Sequence, residues 1–271
     1  MTSSKVVTVG FQGESGAFSE EAALALLGNA RAEGFLNFDA LVEAVDSGHV
    51  SYGLLPVENS IYGQIARSYD LLWMHPALHV VDETVHHVVQ ALIGTPGATI
   101  DGIREVRSHP VALEQCRRLL DAHPSWHAVT VEDTAGAVRE IMERGDPGVA
   151  AIGPASSAKR YGAIVLREGV QDDYDNFTRF FLISRDPTPR RELGRACIAI
   201  GLLRSEKPGT LRDALSAFAD EAINLRSIVS RPSRSGPFTY RFYCEIEGVD
   251  RAKLDRALAR IDGEAKILGI Y

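Results

Sequence analysis

The chain has 271 residues, 45% of them hydrophobic and 24% charged, a composition that supports a sizeable buried core and excludes a disordered or fibrous protein. Lys and Arg total 29 against 36 Asp and Glu, a formal charge of −7, and no basic block or basic-aromatic stripe interrupts that balance, which argues against a nucleic-acid partner. No apolar run approaches the roughly 18 residues of a membrane span and the N-terminus carries no secretory h-region, so a cytoplasmic protein with no membrane partner is expected. Cys116, Cys197 and Cys244 are far apart, with no Cys-x-x-Cys pair, which predicts reduced thiols and neither a disulfide framework nor a zinc ribbon.

The pattern opens on a strand at 6–11, joined to a helix at 20–27 through Gly10-Phe11-Gln12-Gly13-Glu14-Ser15-Gly16-Ala17-Phe18-Ser19. A strand, a glycine turn and a helix N-terminus present free N–H groups and a dipole to an anion. The spacing fits neither the dinucleotide fingerprint nor the P-loop, and a tight turn capped by serine accounts for the same residues. A helix at 41–45 and a strand at 52–56 follow. Pro56-Val57-Glu58-Asn59-Ser60 then stands at a strand's carboxyl end, where open α/β sheets bind ligands, although a capped turn before the helix at 66–73 would also suit it. Ser108-His109-Pro110 with Gln115-Cys116 marks another strand-to-helix junction: Pro110 suits the first turn, Ser108 the cap, and Gln115 the same side one turn on. His109 reads either as a general acid or base or as a structural histidine. His75, His79, His86 and His87 have no Glu or Cys at ligand spacing, so no metal site is expected.

Alternation continues through a helix at 111–121, strand at 128–131, helix at 135–143, strand at 149–152 and helix at 154–161, which is α/β texture. In Asp175-Asn176-Phe177-Thr178-Arg179-Phe180-Phe181-Leu182-Ile183 a hydroxyl and a guanidinium sit at the mouth of a run apolar enough to be a buried strand. Each must find a partner or a ligand there, though strand ends also carry such residues without function. Two prolines and lost periodicity at 185–195 divide the chain into domains 5–185 and 196–271. The second reads as strand 196–203, helix 210–219, strand 224–230, a turn at 232–236, strand 238–246, helix 251–261 and strand 265–270. This is a ferredoxin-like βαββαβ unit, with a sheet face or edge left for a partner subunit to cover.

In order and spacing, Gly13-x-x-Gly16-Ala17-x-Ser19, Pro56-Val57-Glu58-Asn59-Ser60, Ser108-His109-Pro110 with Gln115-Cys116, and Asn176-x-Thr178-Arg179-Phe180 resemble prephenate dehydratase. Residues 196–271 resemble the ACT regulatory domain that follows it in that family, including Asn224-Leu225 and Ser230-Arg231-Pro232, so the resemblance covers essentially the whole chain. It implies a catalytic domain of two α/β lobes, like a type II periplasmic binding protein, with the second lobe at about 80–175 and the site in the cleft between them. The implied reaction converts prephenate to phenylpyruvate with loss of carbon dioxide and water, without cofactor or metal. By the resemblance Thr178 serves the leaving hydroxyl, Arg179 anchors a substrate carboxylate, and Asn59, Ser108 and Gln115 donate hydrogen bonds to substrate oxygens. Glu58 would orient Asn59 or Thr178; Gly16, Ala17, Ser60 and Phe180 would complete substrate binding.

The implied effector is L-phenylalanine, at Gly209, Thr210, Leu211, Asn224, Leu225, Ser230 and Arg231, and the implied assembly a homodimer or homotetramer. Tyr62 and Gln64 depart from the family pattern beside the cleft, as do Thr210 and Val229 in the regulatory unit. Arogenate is the rival substrate, and an amino-acid sensor or solute-binding module the rival class. A decarboxylase that retains the ring hydroxyl is expected to lack Thr178. Deleting residues 196–271 is expected to leave some catalysis and abolish any response to phenylalanine.

Overall fold

The computed structural model describes residues 6–202, 207–233 and 236–271. Lys5 at the expected start of the first domain, the expected strand end at Leu203, and Arg234 and Ser235 of the expected turn lie outside the described residues.

In chain order the elements are β1 (Thr8–Gln12), α1 (Phe18–Leu27), β2 (Arg31–Phe35), α2 (Phe38–Asp46), β3 (Tyr52–Asn59), β4 (Gly63–Gln64), α3 (Ala66–Met74), β5 (His79–His87), β6 (Ala91–Gly94), β7 (Glu105–Ser108), α4 (Pro110–Gln115) and α5 (Arg117–Asp121). There follow β8 (His127–Thr130), α6 (Thr134–Arg144), β9 (Val149–Gly153), α7 (Ala155–Tyr161), β10 (Ile164–Glu168), β11 (Phe177–Ser184), β12 (Arg195–Leu202), α8 (Thr210–Asp220), β13 (Asn224–Pro232), β14 (Tyr240–Glu247), α9 (Arg251–Ala259) and β15 (Gly263–Ile270).

The first lobe is a sheet in the order β2-β1-β3-β11-β5, with β4 against β3; the second is β10-β6-β9-β7-β8. Strands buried on both faces, such as Leu54, Leu55 and Val57 of β3 and Phe181, Leu182 and Ile183 of β11, read as continuous apolar runs rather than alternating ones. The chain leaves the first lobe at 88–90 and returns at 169–176. The two crossovers bind each other there: Val88 N–H donates to Asn176 O at 2.8 Å and Val170 N–H to Gln90 O at 3.0 Å. This corrects the expected lobe boundary near residue 80, because β5 pairs with β11 and stays in the first lobe. The helix expected at 111–121 also breaks, at Cys116, where the Asp172 carboxylate from the returning crossover accepts Arg118 N–H at 3.0 and 3.2 Å and starts α5.

β12 to β15 form a third sheet, in the order β13-β14-β12-β15, with the expected βαββαβ connectivity. One face carries α8 and α9, whose Ala217, Phe218 and Leu254 pack on Ile198, Ile200 and Ile246. The other face is covered by the same chain: Cys197, Ala199, Tyr243 and Leu268 share a core with Leu55, Tyr69, Leu72 and Phe181 of the first lobe. Of the sheet face or edge expected to await a partner subunit, the face is therefore filled by the first lobe. Gly269 makes the approach possible, since a Cβ there would stand 2.2 Å from Val80 O on β5. The segment expected as a connector lies along β5, with Arg190 N–H on Val81 O at 2.9 Å and Arg191 clamped on Asp82 at 2.6 and 2.9 Å. Among the described residues no helix is long and apolar enough to cross a membrane.

Candidate active site

β3 and β11 run antiparallel with Thr178 opposite Asn59 and Arg179 opposite Glu58. Strand alternation sends Thr178 and Phe180 to one face and Arg179 to the other. On the first face a cleft of about 520 Å³ opens between the lobes, lined by Asn59, Gln64, Gln90, Gln115, Thr178 and Phe180 among others. A larger cavity, about 810 Å³, lies to the side around Glu14, Asp133, Arg139 and Tyr161. We assign the site to the smaller one, because Thr178 and the converging amides are there.

Asn59 sets the chemistry of Thr178. Its carbonyl oxygen accepts Ile61 N–H and Tyr62 N–H, both at 3.0 Å, which pins the amide plane. Its NH₂ is then shared among Asn176 Oδ1 at 2.8 Å, Thr178 Oγ1 at 3.1 Å and Phe177 O at 3.2 Å. Thr178 oxygen is thus an acceptor toward Asn59, and among the described residues its own proton has no protein acceptor, which leaves that proton to the cleft. A hydroxyl that accepts one hydrogen bond polarises into a better donor of the next.

Among the described residues, no Lys, Arg, Asp or Glu lines the cleft. A negative ligand would meet a helix end instead: Phe18 and Ser19, the first two residues of α1, line the cleft, and Ala17 offers their N–H groups no side-chain cap. His109 lines it too. Its Nδ1 accepts Val111 N–H at 3.2 Å, so in the neutral ring Nε2 carries the proton. Tyr62, at the rim, reaches Glu114 of the opposite lobe at 3.3 Å.

Residues 9–188 match the family model described as prephenate dehydratase, and residues 199–261 the ACT domain. The chain belongs to the prephenate dehydratase family. It is 36% identical, over 98% of its length, to arogenate dehydratase/prephenate dehydratase 1 of Arabidopsis thaliana, of which it spans 72%. A solved prephenate dehydratase from Arthrobacter aurescens in complex with L-Phe superposes with a TM-score of 0.85 at 29% identity, covering 97% of this chain and 89% of that one. A further solved chain, GqqA, described as a novel type of quorum quenching acylase, gives a TM-score of 0.88 at 29% identity, covering 97% of each chain.

Against this family frame several expected contacts with substrate move elsewhere. Arg179 turns away from the cleft and gives all five of its N–H groups to Glu58, Glu83 and Glu245, so none remains for a substrate carboxylate. Ser108 is fully buried and donates to Ile152 O at 2.6 Å, tying β7 to β9. Ser60 stitches β3 to the returning chain, donating to Asp175 O at 2.6 Å and accepting Phe177 N–H at 2.8 Å. Gly16 N–H donates to the Glu20 carboxylate and Gly16 O accepts the Ser156 hydroxyl at 2.8 Å. Around Gly16 the glycine loop clasps the second lobe, with Arg139 forked on Glu14 at 2.7 and 2.9 Å and Tyr161 O–H on Ser15 O at 2.9 Å. The hydrogen bond from Arg139 holds the Glu14 carboxyl below its ordinary range despite partial burial. Ala17 borders only a small pocket beside the cleft. Asn59, expected to donate to substrate, spends its donors on Asn176 and β11, while Gln115 lines the cleft and its oxygen accepts from Gln90 at 3.1 Å.

Gln90 was missed in the sequence. It is a buried amide inside the apolar run 88–93, its Oε1 has no partner among the described residues, and the desolvation argument that singled out Thr178 applies to it equally.

The residues expected to bind the effector do not meet within one chain. Asn224 and Leu225 open β13, Asn224 being tied to Glu247 at 2.7 Å, whereas Ser230 and Arg231 close it, about 20 Å along by strand rise. Gly209 caps the N-terminus of α8, and Thr210 and Leu211 open the helix. Arg231 is engaged with Asp70 of α3 at 2.7 and 3.1 Å.

Proposed function

We propose that the chain converts prephenate to phenylpyruvate, carbon dioxide and water, with L-phenylalanine as effector. The observation that carries this is the Thr178 hydroxyl, oriented by Asn59 and free to donate, in the interlobe cleft of a prephenate dehydratase family member. In the reaction the C–C bond to the ring carboxylate breaks, its electron pair enters the ring, and the C–O bond opposite breaks as the ring becomes aromatic. Thr178 hydrogen-bonds the oxygen that leaves, which takes a proton from solvent overall to depart as water. Thr178 acts by orientation and charge stabilisation, because a free threonine hydroxyl is too weak an acid to give up its proton outright. The open N–H groups of α1 and the amides of Gln90 and Gln115 would hold the substrate's oxygens without a counter-cation.

Arogenate is the second reading, supported by the Arabidopsis relative whose description names both activities. Acylase chemistry, the activity in the description of one solved relative, would need a nucleophile activated by a base if Thr178 were to carry it, and Thr178 faces an amide donor instead. Feedback by phenylalanine is read as a property of two copies. If the open β13 edges pair antiparallel across a twofold axis, the start of one strand meets the end of its mate, uniting Asn224 and Leu225 with Gly209 to Leu211 of the other copy. Purified protein given prephenate or arogenate, without added metal, tests the reading through phenylpyruvate or phenylalanine release. Turnover lost in the Thr178→Ala variant supports it, and a folded protein that binds both compounds unchanged sinks it.

A further inference from the structure

The face of β11 that looks away from the cleft carries a charge cluster for which dehydration has no direct use. Arg179 bonds Glu58 at 2.8 and 3.1 Å, Glu83 at 3.4 Å and Glu245 at 2.6 and 2.8 Å. Glu58 and Glu83 are first-lobe residues. Glu245 lies on β14 of the ACT domain and is 2% exposed. Arg226 of the ACT domain and Arg195, at the start of β12, also close on Glu83, so three cations and three carboxylates fill the join between the domains. The centre of the cluster, Arg179 with Glu83 and Glu245, is largely buried, and a buried ion cluster adds little net stability while loss of one member is strongly felt.

Two paths lead from Glu245 to the cleft. Along the backbone, Arg179 and Glu58 are next in sequence to Thr178 and Asn59 and share their register. Through side chains, the Glu245 carboxylate accepts the Tyr69 O–H at 2.6 Å, and the same hydroxyl stands 3.0 Å from the Gln64 amide oxygen, on the cleft wall. Tyr69 is fully buried, its ring packed against Phe181 and Tyr243, so it has no other place to go.

We propose that Glu245, a residue of the ACT domain, is a positioning residue for the catalytic cleft, holding Arg179 and Tyr69 so that Thr178, Asn59 and Gln64 keep their geometry. The inference rests on the dehydratase reading of that cleft. It makes the ACT domain part of the working site: any rearrangement of β14 shifts a carboxylate on which two cleft walls depend.

The test is Glu245→Gln in the full chain, which keeps size and polarity and removes the charge. The expected result is a kcat lower by about 10- to 100-fold, as for small displacements of an oriented group. KM should stay within about twofold, because Thr178 serves the departing oxygen rather than ground-state binding. Tyr69→Phe cuts only the Gln64 path, so a smaller loss is expected, and the double variant should lose less than the two losses multiplied. Hydrogen exchange supplies a readout independent of turnover: β11 should exchange faster in Glu245→Gln while β9 of the second lobe does not change. An unchanged kcat in a folded Glu245→Gln protein would overturn the proposal; should that variant not fold, an unchanged kcat in Tyr69→Phe would do so. If wild-type protein turns over neither prephenate nor arogenate, the dehydratase reading falls, and unchanged exchange in β11 would then sink the coupling as well.

Discussion

Thr178 has one proton to offer, and the direction of its bond with Asn59 decides where that proton goes. Thr178→Ala should cost about 10²- to 10³-fold in kcat, the scale of losing one oriented donor to a developing negative oxygen. Thr178→Ser keeps the hydroxyl and should retain part of the rate. Asn59→Asp reverses the polarity: the carboxylate would accept the threonine proton and draw it from the cleft, so initial rates should fall nearly as far as in Thr178→Ala. The sequence exposed these residues through their cost, since a hydroxyl or amide in an apolar run must be satisfied. It did not reveal the satisfier. Ser108 found a carbonyl on the neighbouring strand and Arg179 found carboxylates from two domains, and only the packed chain distinguishes such partners from a ligand. Gln90 and Gln115, by contrast, meet at the cleft from segments that no local pattern connects.

At the level of elements, the loop from β1 to α1 joins the lobes, and Gly16 is its tightest point. Its φ is +91° and an added Cβ would stand 2.8 Å from the Ser157 Cα, so Gly16→Ala should destabilise by about 1–3 kcal/mol, measured by thermal or urea unfolding. The Glu14–Arg139 fork in the same clasp gives a pH signature. Because the folded carboxyl lies below its ordinary value of 4.5, the fork's contribution is present above that pH and disappears as pH falls through the folded value. The difference in melting temperature between wild type and Glu14→Gln should therefore shrink in acid, and it should be modest throughout because both side chains are more than a third exposed. Alternation and turn residues identified most elements, but β2 and β10 are half-exposed edges without clear alternation, and β6 is four buried residues that could be strand or helix. For that reason periodicity alone does not mark them as strands.

For the whole molecule, the ACT sheet is half of a shared core, which revises the consequence of removing it. A chain ending at residue 185 would bare Tyr69, Leu72 and Phe181 and leave Arg179 without Glu245, so low solubility and lost turnover are expected rather than unregulated activity. Light scattering and rate assays on that fragment check both. The same burial silences the thiols: Cys116 and Cys244 are each pushed up to about 12 and Cys197 well above its ordinary value, so native protein at pH 8 should not react with a thiol reagent, and unfolded protein should react at every cysteine. One feature of the first sheet also governs how the molecule comes into being. β11 is seated between β3 and β5, yet the ribosome delivers it only after the whole second lobe. Until then β3 and β5 wait with unpaired edges on either side of a vacant slot. Closing it requires pairing between segments distant in sequence, the slow and aggregation-exposed kind, so this chain acquires Thr178 at the cleft and the keystone of its first lobe in the same late event.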